Sequence, residues 1–216
     1  MRSALANLPQ SLLKAYQKVF DQMQAGPKGE AFEAMSWIFH APRPLRMEEL
    51  CEALAIEIGD RNINRDNVPN PNRIIHVCES LVKEVNGVVR FTHLTVFEYL
   101  QTLYKRRSPD ILPASHLAKV CLTYLQHDIF AEPCHPDQEL EGKVKEYKFS
   151  KYAAQYWGYH TRGDSEKNES LREMVFGTFQ SRNHGIVQSV YELRNAWRFE
   201  HYDQNSTLLH LFAEEG

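Results

Sequence analysis

The sequence predicts an all-α chain with one minimal β-hairpin. Two observations carry that prediction. Apolar residues recur at three- and four-residue spacing through most of the chain, which is the helical period. The β-branched run Val88-Val89-Arg90-Phe91-Thr92 directly follows Asn86-Gly87, a tight-turn dipeptide. With 43% hydrophobic and 25% charged residues over 216 positions, the composition is that of a globular chain able to bury a core. The balance of 25 basic and 28 acidic residues, net charge −3, offers no general attraction to nucleic acid or anionic lipid.

Pro9 suits a first helical turn, and Leu12, Tyr16, Val19, Phe20 and Met23 then mark a helix face. Gly26-Pro27-Lys28-Gly29 interrupts it. A second helix is expected over Glu30–His40, stopped by Pro42 and Pro44, and a third over Met47–Ile58. Residues 59–72 carry Asn62, Asn64, Asn67, Asn70 and Asn72 and read as an exposed loop. Ile74, Cys78, Leu81, Val82 and Val85 predict a fourth helix over Arg73–Val85. The strand Val88–Thr92 needs a partner, and either the end of that fourth segment or Arg43–Arg46 can supply it. Thr95-Val96-Phe97-Glu98 has the capping-box form, with Thr95 and Glu98 as reciprocal caps of a helix reaching about Lys105. Helices followed by a small hairpin are in winged-helix order.

The second half stays helical. Leu117, Val120, Cys121 and Tyr124 mark one helix, and Phe149, Tyr152, Ala153, Tyr156 and Trp157 form an aromatic face expected to be core. Leu171, Met174, Val175 and Phe179 mark another, and Ile186, Val190, Leu193 and Trp197 a last one. Residues 131–145 read as an irregular charged connection. This is the pattern of a helical bundle or solenoid.

Cys51, Cys78, Cys121 and Cys134 are far apart with no CxxC, so they are expected as small core hydrophobes. Cys121, His127, Cys134 and His135 do not have the ligand spacing of a structural zinc site, so no metal is expected. The stretch Met1–Leu13 lacks the apolar segment of a signal peptide, and no apolar run approaches the ~20 residues that span a bilayer. A cytoplasmic chain is expected, with no membrane partner.

Several stretches together resemble a known domain: Leu8-Pro9 with Leu12 and Tyr16, Trp37-Ile38, Arg43-Pro44-Leu45 with Glu49-Leu50, Cys78 with Leu81-Val82, and Val89-Arg90-Phe91-Thr92-His93 with Thr95 and Glu98-Tyr99-Leu100. They are similar to the winged-helix domain that follows the NACHT NTPase module in fungal STAND proteins. That domain carries a name borrowed from a GPI inositol-deacylase, which implies no deacylase activity. Tyr152-Ala153-Ala154 and Tyr156-Trp157 with His160 are similar to the helical spacer after it. Thr207-Leu208-Leu209-His210-Leu211-Phe212-Ala213 resembles the opening of an ankyrin repeat, with Leu208 in place of proline. The expected organisation is a winged-helix domain over residues 8–105, a helical spacer over 110–204, and the start of an ankyrin repeat over 205–216.

The resemblance implies a role for His93. In related nucleotide-binding receptors a winged-helix histidine in an F-x-H-x-S-x-Q-E-F setting contacts the β-phosphate of ADP, and Phe91-Thr92-His93-Leu94-Thr95-Val96-Phe97-Glu98-Tyr99 is similar, with Phe97 in place of the glutamine. The competing reading is a partly buried histidine hydrogen-bonded to backbone at the strand–helix corner. No G-x-x-x-x-G-K-[ST] loop and no G-x-S-x-G elbow occur, so neither a catalytic residue nor a cofactor is expected. The resemblance therefore implies a non-enzymatic relay between a NACHT module and a downstream ankyrin-repeat sensor. Two other readings are a DNA-binding winged helix and a free-standing helical interaction module. Against DNA, the fourth helix balances Arg73 and Lys83 with Glu79 and Glu84, and the wing contributes Arg90 alone. Lys105-Arg106-Arg107 is expected to serve a helix C-terminus. Apolar surface on the first helix would favour the relay over a self-contained module.

Overall fold

The computed structural model describes residues 8–25, 28–131 and 137–180. The helix expected over Ile186–Trp197 and the ankyrin start over 205–216 lie outside the described residues. The fold is mostly helical with a two-stranded antiparallel hairpin, as expected of a winged helix followed by a helical segment. The helices are α1 (Gln10–Ala25), α2 (Lys28–His40), α3 (Met47–Leu54), α4 (Pro71–Val77), α5 (Leu94–Lys105), α6 (Ala114–Leu125), α7 (Asp137–Glu146), α8 (Ser150–His160) and α9 (Glu169–Gln180). The strands are β1 (Val82–Val85) and β2 (Val88–Phe91). Two compact units result: Met1–Leu54 with Val68–Pro113, and Ala55–Asn67 with Ala114–Gly216.

In the first unit the wing closes around β2. Val82 pairs with Phe91 and Val85 with Val88 across the hairpin. Asn86 (φ 54°) and Gly87 (φ 77°) are both left-handed, the signature of the type I′ turn that matches strand twist. On its other edge β2 meets the segment before α3: Arg46 bridges to Val88, the Val89 amide donates to the Leu45 carbonyl (2.9 Å), and the Met47 amide donates to the Gly87 carbonyl (2.9 Å). Both candidate partners of the strand are thus used, one on each side.

Three expected boundaries are corrected. The fourth segment is not one helix over Arg73–Val85: α4 ends at Val77, and β1 begins at Val82. Glu79 (φ 47°) and Ser80 (φ 60°) adopt left-handed backbone, which breaks the helix, and the β-branched Val82 and Val85 that suited a helical stripe pair as strand instead. Asn70 caps α4 through its side chain, which accepts from the Asn72 amide (2.9 Å), with Pro71 opening the helix. The third helix stops at Leu54, not Ile58. The connection over 131–145 contains α7.

Glu49 starts α3. Its carboxylate accepts the Arg46 amide (2.8 Å), which is the carboxylate half of a capping box, and takes a two-pronged bond from Arg43 (2.8 Å each). The core above the wing is built from Phe20, Met35, Trp37, Leu45, Leu50, Ile74 and Leu100, all nearly inaccessible. Each such side chain contributes about 1.5–3 kcal/mol by leaving water. On α2, Ser36 and His40 sit one turn apart and hold the chain leaving the unit. The Leu112 amide donates to Ser36 Oγ (2.9 Å), and His40 Nε2 lies 2.9 Å from the Leu112 carbonyl. A carbonyl only accepts, so Nε2 carries the proton.

The second unit is organised by α6. Leu117, Ala118, Val120, Cys121, Leu122, Tyr124 and Leu125 are all buried, so the helix is apolar on nearly every side and belongs to an interior. The aromatic face expected on α8 is core: Phe149, Tyr152 and Trp157 are buried, and the Phe149 and Tyr152 rings stack with centroids 5.4 Å apart. Asn168 caps α9, its side chain accepting from the Leu171 amide (3.0 Å). Cys51, Cys78 and Cys121 are free, buried thiols. Burial pushes Cys51 up to about 11 and Cys78 up to about 12, so they serve as small apolar side chains rather than nucleophiles.

Two glycines make opposite predictions. Gly87→Ala forces a side chain onto positive φ and should lower stability by about 1 kcal/mol. Gly177→Ala, mid-helix where an added Cβ meets nothing, should raise it by about 0.5–1 kcal/mol. Urea midpoints at constant slope check both. Burial also lowers the His40 pKa from its ordinary value, against the opposing effect of the Leu112 bond. The unfolded chain therefore binds this proton at higher pH than the folded one. Stability is complete above about pH 6.5 and falls as pH drops below it. His40→Gln keeps a donor for Leu112 and should flatten the pH 7-to-5 decline seen in urea unfolding.

Candidate functional site at the wing–helix corner

β2 turns into α5 through Thr92 and His93. The Thr92 amide (2.9 Å) and hydroxyl (3.2 Å) both donate to the Leu81 carbonyl, which closes the base of the hairpin. His93 is extended (φ −145°, ψ 149°) and is the N-cap of α5: its Nδ1 accepts from the Thr95 amide (3.2 Å). The capping box expected at Thr95 and Glu98 is therefore displaced. The helix already begins at Leu94, so Thr95 stands inside its first turn and cannot be the cap. Glu98 also lies inside the helix, where its carbonyl accepts from the Thr102 hydroxyl (3.0 Å).

The polar atoms at this corner have a determined direction. Nδ1 accepts a backbone N–H and so holds no proton. The Thr95 hydroxyl, 2.8 Å from Nδ1, then donates to it, and the Tyr16 hydroxyl, 2.6 Å from Thr95 Oγ1, donates to Thr95. This chain of donors from α1 fixes the ring and leaves the proton on Nε2. His93 is exposed. The corner thus presents an imidazole N–H donor at the N-terminus of α5, where the helix dipole favours an anion, while the Thr95 and Val96 amides are already bonded to His93 itself. Of the corner reading of His93, the backbone hydrogen bond is present but the expected partial burial is not: the residue is exposed.

Arg73 donates to both oxygens of Glu30 (2.8 and 3.1 Å), and α4 is only seven residues long. The helix expected to read DNA is therefore short, with its arginine already paired. Lys83, which the helix assignment hid, stands directly opposite Arg90 across the hairpin, so the wing carries two exposed cations, not one. The alternation of a strand would have revealed it. Lys105 ends α5, and the Arg106 and Arg107 amides donate to carbonyls of its last turn. Cys121 and His127 are buried, while Cys134 and His135 lie outside the described residues. In the described first unit the large exposed apolar side chains are Leu94 (68%), Val85 (44%) and Tyr104 (36%); α1 contributes none, so the apolar face that would favour the relay over a self-contained module is not found on the described residues of the first helix.

The cap makes a direct prediction. His93→Ala should cost about 0.5–2 kcal/mol, whereas His93→Asn, a strong N-cap, should recover most of it. Thermal or urea unfolding of the two variants measures the difference; equal losses would mean that the ring does not cap α5.

Comparison with known proteins agrees with this architecture. Residues 20–108 match the model of the GPI inositol-deacylase winged helix domain. The chain is 24% identical over 194 residues to the azaphilone pigments biosynthesis cluster protein L of Monascus ruber, covering 82% of this chain. It spans 40% of the length of that relative. No solved structure matches the chain. The helix–bridge–helix–helix–hairpin order from α2 to β2 and the match over residues 20–108 lead to one conclusion: this part of the chain forms a winged-helix domain, similar to that of GPI inositol-deacylase.

Proposed function

We infer that this chain is a non-catalytic relay segment of a NACHT-type STAND signalling NTPase, coupling nucleotide state to a downstream ankyrin-repeat sensor. The observation that carries the reading is the wing–α5 corner. There the exposed His93 is held by its own helix cap with the proton on Nε2, at the positive end of the α5 dipole. A β-phosphate would take one hydrogen bond from that N–H, and a conformation lacking the contact would lose it. Such a difference in affinity between two states is what a nucleotide-driven switch requires. The NACHT module would be the partner, in cis or in trans. The pairing of Arg73 with Glu30 weighs against DNA as the ligand.

The test is isothermal titration of ADP into a separately expressed NACHT module, with and without this chain. The chain should tighten ADP binding, and His93→Leu should abolish the gain. No gain from the wild-type chain would overturn the relay. A fluorescent duplex DNA titrated at low and high salt supplies the contrary outcome, since salt-sensitive binding would favour a DNA-binding domain.

A further inference from the structure

The winged-helix unit is not continuous in sequence. The segment between α3 and α4, Ala55–Asn67, folds as part of the second unit. It is held there at four points. Ala55 and Ile56 are buried. The Gly59 amide donates to Thr123 Oγ1 on α6 (3.3 Å). Asp128 grips the middle twice, its amide donating to the Arg61 carbonyl (3.0 Å) and its carboxylate accepting from the Asn62 side chain (3.1 Å). Arg65 closes the far end, donating to the Glu146 carbonyl (3.3 Å) with its guanidinium 4.7 Å from the centre of the Tyr147 ring.

The segment's internal bonds, Asp60 amide to Glu57 carbonyl and Asn67 amide to Asn64 carbonyl, are short-range turns and cannot by themselves fix its path. The chain therefore crosses between the units at 54/55, 67/68 and 113/114 instead of once. Two of those crossings are the end of α3 and the approach to α4.

We propose that Ala55–Asn67 is a mechanical strap through which the second unit controls the local stability of the α3–α4 pair. The inference stands without the nucleotide reading, since it concerns anchors and connectivity alone. The strap's bonds hold the ends of both helices in place. When the anchors release, the last turn of α3 and the first turn of α4 gain freedom, while α1, which does not adjoin the strap in sequence, does not.

Amide hydrogen exchange on the full chain tests this. Asn62→Ala with Arg65→Ala removes two anchors through exposed side chains, so the fold is retained. Peptides from the strap, from α3 and from α4 should exchange about tenfold faster, a loss of about 1.4 kcal/mol of local stability. Peptides from α1 should keep their wild-type rate. Asp128→Ala keeps the main-chain bond to Arg61 and should shift the same helices in the same direction, although it lies outside the strap. The proposal is overturned if the strap loosens while α3 and α4 do not, if the strap itself stays protected, or if α1 accelerates equally.

Discussion

The first unit depends on β2 being paired on both edges. The hairpin alone would be marginal, since two isolated strands rarely hold in water. The Leu45–Met47 segment adds a short third edge, and the first turn of α3 fixes its position: Glu49 binds the Arg46 amide while Arg43 binds Glu49. The start of α3, the edge of the sheet and the tip of the wing are therefore one bonded object. β2 then delivers His93 to α5 at a set height, and the Tyr16–Thr95–His93 donor chain sets the ring's rotation. The candidate site thus combines a local strand–helix corner with one long-range contact, Tyr16 on α1 with Thr95.

Much of this was legible in the sequence because its signals are local. The Asn86-Gly87 turn, the proline at the start of the first helix and the aromatic face of α8 each follow from nearest-neighbour chemistry. The boundary between α4 and β1 was not legible for a physical reason. Ile74, Cys78, Leu81, Val82 and Val85 satisfy a helical period, and the helix is stopped by left-handed backbone at Glu79 and Ser80. Neither is the glycine or asparagine that ordinarily marks such a turn. The same error concealed the Lys83–Arg90 pair, because a residue assigned to a helix is not looked for on a wing.

The cap of α5 shows a different limit. Thr95 with Glu98 fits the capping-box pattern, and histidine is not among the preferred caps. An imidazole nitrogen nevertheless accepts a backbone N–H two residues on when its own backbone is extended and held by the strand. Sequence ranks caps by frequency; here Thr92, bonded twice to Leu81, sets the backbone geometry that lets His93 serve. The residue proposed to meet a ligand thus also has a structural job, and variants there report on both.

The interrupted winged helix has a consequence for synthesis. A ribosome delivers residues in order, and domains generally fold as they emerge. When the first unit has fully emerged, at Pro113, the seat of Ala55–Asn67 on Thr123, Asp128 and Glu146 has not yet been made. The newborn unit must hold its α3–α4 loop unseated until α6 and the end of α7 appear. The last step in maturing the N-terminal half is thus set by the C-terminal half, and a pause or truncation before residue 147 leaves an exposed, protease-sensitive loop in an otherwise finished fold.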